Sequence, residues 1–247
     1  MRSPGEVAEV LALVAAGLSD AEIANRTGVP RRTVLDWRRG RAPRAASPCG
    51  FAQHLPLPNV EYAYLLGMYL GDGCLSATHR PGVWRLRIFA DARYPGIVEE
   101  CAVAMHAIFP SQRAHRLRRG ASQCVEISMY SKHWLCLLPQ HGAGRKHHRV
   151  IELMPWQREI VEQAREQFLR GLIHSDGCRI IAHERQAGRV RDAPRYVFSN
   201  RSEDIKRLFC ESCDALGIRW TRPSDRDIAI YRLASVAAMD RFVGPKS

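Results

Sequence analysis

The feature that most constrains this 247-residue chain is that it repeats itself. Leu65-Leu66-Gly67-Met68-Tyr69-Leu70-Gly71-Asp72-Gly73 returns 104 positions later as Leu169-Arg170-Gly171-Leu172-Ile173-His174-Ser175-Asp176-Gly177. The match continues downstream: residues 86–91 correspond to 195–200, and amphipathic helices are expected at both 97–109 and 205–216. Residues 125–129 answer 228–231, and 142–146 match 243–246 more loosely. One unit reads helix, strand pair, helix, strand pair, helix, and it occurs twice. The spacing predicts one repeat over 59–150 and a second over 151–247.

The repeated string also carries chemistry. Gly67 and Gly71, with their counterparts Gly171 and Ser175, leave one helix face nearly bare. Two such helices can pack closer than the usual separation of about 8–10 Å. Gly73 and Gly177 are expected as left-handed helix caps. Asp72 and Asp176 are the odd members, because a carboxylate at the negative end of a helix dipole costs about 0.3–1 kcal/mol. Two matched violations suggest a compensating cation. Helices packed side by side would bring both carboxylates to one end, where hard oxygen ligands could hold a divalent metal against scissile phosphates. A single Asp-Gly is most simply a turn; two, each followed by the same order of elements, are not.

These two nine-residue strings resemble the signature of the LAGLIDADG homing endonucleases in their single-chain form, and the resemblance covers about residues 59–247. It implies an α+β fold: two tandem αββαββα repeats forming a saddle of antiparallel strands over the DNA major groove, with the motif helices at the central interface. It further implies that Asp72 and Asp176 are catalytic and bind metal, Mg²⁺ or another divalent cation. The sixth motif position, often acidic in the family, is Leu70 in one copy and His174 in the other. That departure points to packing, with His174 as a group that could also reach metal or water. The family places basic residues near the scissile phosphates, commonly lysine. Lys146 and Lys246 lie at roughly equivalent places in a chain with only four lysines. Two readings stay open for them. A titratable amine can activate water or stabilise developing charge, so both would be catalytic; or both only contact phosphate, as Arg145 and Arg149 in the same basic run would.

The first 44 residues read differently. Val7, Val10, Leu11, Val14 and Leu18 recur at helical spacing, and Ser19-Asp20-Ala21-Glu22 is a capping box that opens a second helix. Gly28 supplies a turn, and a third helix is expected over 31–39. Ala24, Gly28, Val29 and Val34 give the pattern by which two short helices cross steeply, the last entering the major groove. It carries Arg31, Arg32, Thr33, Arg38 and Arg39; from Arg26 to Arg44 there are seven arginines and one acid, Asp36. This head resembles the helix-turn-helix heads of resolvases and small bacterial regulators. Prolines at 43, 48, 56 and 58 mark a linker, 45–58, between head and body.

Thirty-seven basic residues against 25 acidic ones give a net charge of +12, which favours a polyanionic partner, and double-stranded DNA is the candidate. Along the strands, Arg85, Arg87, Arg116, Arg118 and Arg195 are candidate readers, with Arg119, Arg219 and Arg222 beside them. Eight cysteines show no framework spacing. Cys210 and Cys213 fall on a helical pattern and read as buried thiols, Cys49 and His54 supply at most two ligands, and a reduced, cytoplasmic compartment fits. No apolar run has the length of a membrane span, and the doubled body, supplying its own pseudo-two-fold, predicts a monomer. Two functions are compatible with this pattern: a metal-dependent endonuclease using one acid from each half, or a sequence-specific transcriptional regulator whose body has become a binding platform. Retention of both acids favours the first.

Overall fold

The computed structural model describes all residues except 1–3, 42–56, 119, 121–122, 187–188, 245 and 247. The chain divides into two compact units, Met1–Gly50 and Phe51–Ser247. Most of the expected linker lies outside the described residues, together with Arg44, Cys49, His54 and three of its four prolines; so does Arg119.

The head is built on helices Pro4–Ala15, Asp20–Thr27 and Arg31–Asp36. Its capping box forms as expected: the Ser19 N–H donates to Glu22 at 2.9 Å, and the Glu22 N–H donates to the Ser19 hydroxyl at 3.3 Å. Gly28, at φ 68°, stops the second helix. The third helix is shorter than its expected span. Its α-helical bonding ends at Asp36 and continues as a π turn, Trp37–Arg41, where Trp37 enters the core beside Val10, Ile23, Val29 and Val34.

In the body, the first motif helix, Asn59–Leu70, is followed by β1 (Gly73–Ala77), β2 (Trp84–Asp91), a helix Pro95–Ile108, β3 (His115–Arg118), β4 (Cys124–Ser131) and a single helical turn, Trp134–Leu137. After a helix Pro155–Gln163 comes the second motif helix, Arg165–Asp176. Then follow β5 (Gly177–Gln186), β6 (Arg189–Ser199), a helix Glu203–Ala215, β7 (Asp227–Ile230) and a last helix, Leu233–Val243. The strands form two antiparallel sheets, ordered β1-β2-β4-β3 and β5-β6-β7. The doubled α+β unit is therefore present, but its second copy lacks a full second strand pair. The equivalent of β3 is reduced to one bridge, Thr221 to Ala229, and the loop after it is tied by side chains instead, Arg222 to Glu203 and Ser224 to Asp227.

The motif helices lie at the centre of the core. All nine residues from Tyr62 to Leu70 are buried, and a helix apolar on every side must be covered on every side. Leu86, Ile88, Ile127 and Met129 line the core face of the first sheet, and Tyr196, Phe198, Ile228 and Ile230 that of the second. Cys210 and Cys213 are buried on the helix Glu203–Ala215.

Strand register corrects the alignment of the repeats. Each motif glycine pairs across its hairpin: Gly73 with Ile88, and Gly177 with Phe198. Ile88 is thus equivalent to Phe198, not to Val197, and Arg85 is equivalent to Arg195. A slip of one moves every side chain to the opposite face; the likeness of Ile88 to Val197 and of Phe89 to Phe198 conceals it here.

Candidate two-acid centre and nucleic-acid interface

The motif helices cross at their small residues, as predicted. A Cβ added to Gly67 would lie 2.5 Å from the Phe168 carbonyl oxygen, and one on Gly171 would lie 2.2 Å from the Tyr64 carbonyl oxygen. One on Gly71 would meet Ser175 Oγ at 2.2 Å and the Asp176 carboxyl carbon at 3.1 Å, so the helices stay in contact to the ends that bear the acids. Ser175 fits because its hydroxyl donates back to the Gly171 and Leu172 carbonyls, each at 3.0 Å. Gly73 and Gly177 are not left-handed caps: neither has a positive φ. They are glycines because a Cβ would strike the preceding turn, 2.5 Å from Tyr69 Cα and 2.8 Å from Ile173 Cα respectively.

Around the crossing point sit Asp72, Asp176, Lys146 and Lys246, each of which feels the charge of others in the set. Each helix end also meets an ammonium of the chain itself. Lys146 Nζ donates to the Tyr69 and Gly71 carbonyls at 2.5 and 2.7 Å; Lys246 Nζ donates to the His174 and Gly177 carbonyls at 3.1 and 2.5 Å. These would otherwise be orphan acceptors at the helix termini. Burial pushes the Asp72 carboxyl up, against the pull of Lys146 and Lys246. Burial and then the Asp72 charge push Asp176 up to about 6. Burial brings Lys146 down to about 8, opposed by Asp176 and Asp72, and Lys246 is lowered by burial as well. Such opposed shifts in one cluster are what acid–base sites display.

Asn200 is a member of the centre that the sequence did not single out. Its Oδ1 accepts from the Ser202 N–H at 2.7 Å, which turns its Nδ2 toward Asp176 at 2.6 Å. By strand register its counterpart is Ala90, so the two acids are not equivalent. The only signal for Asn200 was its place just beyond β6, and that becomes legible only once the register is known. Lys146, Asp176, Asn200, Arg145 and Arg201 line a cleft of about 530 Å³.

His174 is not part of this centre. It is 5% exposed and held between two partners. Its Nε2–H donates to the Val243 carbonyl at 3.2 Å, which leaves Nδ1 to accept the Tyr64 hydroxyl at 3.1 Å. Burial lowers it to about 4, so at neutral pH its 3.7 Å approach to Glu100 is not an ion pair.

The candidate DNA-binding arginines separate into two groups. On the face of the first sheet away from the core, Arg85 lies over the Tyr130 ring at 5.3 Å; at the equivalent place in the second sheet, Arg195 lies over the Tyr231 ring at 5.0 Å. Both tyrosines are more than 40% exposed, so each sheet presents an arginine–aromatic platform to solvent. Beneath the first lies Glu126, fully buried, 2.5 Å from Arg85 and 4.0 Å from Arg87. It aims both guanidiniums, and in the second sheet its register equivalent, Asp227, bonds to Ser199 and Ser224 instead. Arg31, Arg32 and Arg39 of the head are exposed and Thr33 is half-buried; Arg145 is exposed in the body.

The other group also has partners within the protein. Arg38 donates to Asp20 at 2.7 Å and to the Leu18 carbonyl at 2.5 Å, which ties the third helix of the head to the start of the second. Arg149 donates to the carbonyls of Gly142 and Gly144, closing the loop that carries Lys146. Arg222 pairs with Glu203. Arg116 pairs with Glu99 at 2.6 Å and Arg118 reaches Gln123 at 3.4 Å, both on an exposed edge strand where charge deters unwanted pairing. Among the described residues no group of three or more His, Cys, Asp or Glu is arranged to hold a metal, and no helix is long and apolar enough to cross a membrane.

The model of the homeodomain-like domain family matches residues 2–42. Curated protein sequences give no match. The body is similar to solved LAGLIDADG proteins. One is the homing endonuclease I-DmoI in complex with DNA and Mn, at 15% identity and a TM-score of 0.49, covering 76% of this chain and 98% of that one. Another is the meganuclease I-AabMI bound to uncleaved DNA, at 10% identity and a TM-score of 0.46, covering 73% and 82%. A third is the N-terminal LAGLIDADG domain of DUF199/WhiA, at 13% identity and a TM-score of 0.45, covering 82% and 92%.

Proposed function

We propose that the protein is a monomeric double-stranded-DNA-binding protein that hydrolyses phosphodiesters at the two-acid centre. The observation that carries this reading is the convergence of Asp72, Asp176, Lys146 and Lys246 from two repeats, each within reach of the others' charge, beside the cleft that Lys146 and Asp176 line. The donor set suits Mg²⁺, which commonly takes one or two carboxylates and completes its shell with water and substrate phosphate. Asp176 is pushed up to about 6 by burial first and then by the Asp72 charge, and a bound cation would favour its ionised form. A bound divalent cation would polarise the phosphoryl oxygen and lower the barrier to attack by water.

The chain's own groups then have defined tasks. Each ammonium has three N–H bonds and spends two on helix-end carbonyls, which leaves one for a phosphate oxygen or for water. Lys146, brought down to about 8, can exchange that proton near neutrality. Asn200 holds one carboxylate oxygen of Asp176, a residue that lines the cleft. The paired platforms Arg85–Tyr130 and Arg195–Tyr231, at equivalent places in the two sheets, contact the duplex.

The test is incubation of a randomised duplex library with protein and Mg²⁺, followed by sequencing of new ends. Recovery of a defined site cut in both strands supports the reading; selective binding without any cut overturns the hydrolytic part. One observation favours a second reading, a transcriptional regulator: both ammoniums are spent on helix-end carbonyls, a structural task that a pure binding platform also has.

Binding itself makes two predictions. Log affinity should fall by about 0.9 per neutralised phosphate for each tenfold rise in salt, measured by anisotropy on the selected duplex; a flat dependence contradicts a DNA interface. Arg195→Ala should cost about 1–3 kcal/mol and relax base preference in one half-site only, whereas Arg118→Ala should leave affinity within about 0.5 kcal/mol.

A further inference from the structure

The two lysines reach the centre by different routes, and the second route crosses between the repeats. Lys246 follows the last helix, Leu233–Val243, by three residues. The carbonyls that end this helix have no partner within it; they are bound by the second motif helix. Arg170 donates to the Phe242 carbonyl at 2.6 Å and also to the Val243 carbonyl, and His174 donates to Val243 from its other side at 3.2 Å. Arg170 is held in turn by a two-pronged pair with Glu100, at 2.7 and 2.9 Å. Glu100 belongs to the helix Pro95–Ile108 of the first repeat, and so does the helix bearing Tyr64, which fixes His174. Among the described residues the first repeat has nothing equivalent. Its motif helix carries Leu66 and Leu70 where the second carries Arg170 and His174, and the loop bearing Lys146 is closed within the repeat by Arg149.

The geometry points to Glu100, Arg170 and His174 as positioning residues that deliver Lys246 to the acids, so that the second repeat's amine is in place only when the first repeat is packed against it. The fork matters because a guanidinium bound along one edge by a carboxylate presents its remaining N–H groups in a fixed direction. Three acceptors on it, two of them helix-end carbonyls, define where the tail leaves the last helix. The inference rests on the reading that Lys246 serves the two-acid centre, but its test does not require cleavage.

The scarcity of lysine makes the test clean. The full-length protein is trace-labelled with an amine-acylating reagent and each lysine is followed by mass spectrometry. Exposed Lys132 is the fast reference and Lys206, 2% exposed and bonded to Glu203, the slow one. In Glu100→Gln and Arg170→Met, Lys246 labelling should rise by about tenfold relative to Lys132, the behaviour of a locally opened segment, while Lys146 and Lys206 stay protected. Arg149→Met should do the reverse, exposing Lys146 and not Lys246. Two outcomes overturn the inference: Lys246 protected in both anchor variants, or Lys146, Lys206 and Lys246 rising together, which marks general loosening. A wild-type protein that binds DNA without cutting it overturns the hydrolytic reading and leaves the labelling result to decide the anchor.

Discussion

Asp176→Asn should reduce cleavage by about a thousandfold or more and should, at the same time, make the protein more stable. The first effect follows from losing half of the proposed metal-binding carboxylate set, since polarisation by a bound metal supplies several kcal/mol of charge stabilisation in the transition state. The second follows from linkage. The Asp176 carboxyl is raised from 3.8 to about 6 in the folded protein, so the fold prefers its protonated form. That preference stabilises fully below about pH 4 and is lost as pH climbs through about 6. At pH 7 ionisation costs roughly 2–3 kcal/mol, from a shift of 3.8 to about 6, and a neutral amide avoids it. The comparison is a pair of denaturant titrations at pH 4 and pH 7 without metal. The variant's advantage should appear only at the higher pH, and excess Mg²⁺ should narrow it. A variant no more stable than wild type at pH 7 would show that the acids are not under strain. Asp72→Asn should lose cleavage as completely, its carboxyl being raised in the same direction.

The second large effect is steric. Gly171→Ala places a methyl 2.2 Å from the Tyr64 carbonyl oxygen and 3.0 Å from the Met68 nitrogen, both backbone atoms of the opposing helix that cannot turn aside. Gly→Ala inside a helix ordinarily gains up to about 1 kcal/mol. Here the helices must separate along their whole crossing, and overpacking of a close-packed interface costs about 1–3 kcal/mol or more. A net loss of about 2 kcal/mol is expected, with cleavage lost as well because separation moves the acids apart. Ser175→Ala is the control: it keeps the Cβ and removes only a hydroxyl bonded within its own helix. Its midpoint should stay within about 0.5 kcal/mol of wild type.

Much of this architecture was legible because the motif occurs twice. Doubling separated Asp72 and Asp176 from ordinary turns, and it placed Lys146 and Lys246 at matching positions before any contact was known. What escaped the sequence depends on partners far along the chain. Glu126 reads as a polar strand residue until Arg85 and Arg87 are seen across the ladder. Asn200 becomes part of the centre only when Gly177 pairs with Phe198, a register that differs by one residue from the apparent alignment. Arg38 and Arg149 read as phosphate ligands because arginine near other arginine reads as a basic surface; the backbone carbonyls that each of them also satisfies are invisible in the sequence. His174 shares the motif with the acids but turns away from them, because the pocket between Tyr64 and Val243 satisfies both ring nitrogens.

The complete burial of Tyr62–Leu70 has a consequence for how the protein is made. The helix that covers these residues ends at Asp176 and leaves the ribosome about a hundred residues later, a delay of roughly 5–20 s at ordinary rates of synthesis. Through that interval the nascent chain carries a helix with no polar face that only a half-built first repeat covers, so the remaining face must be shielded by a chaperone or turned inward. Rare codons placed between positions 71 and 176 should therefore lower soluble yield more than the same codons placed after 177, although the finished protein is identical.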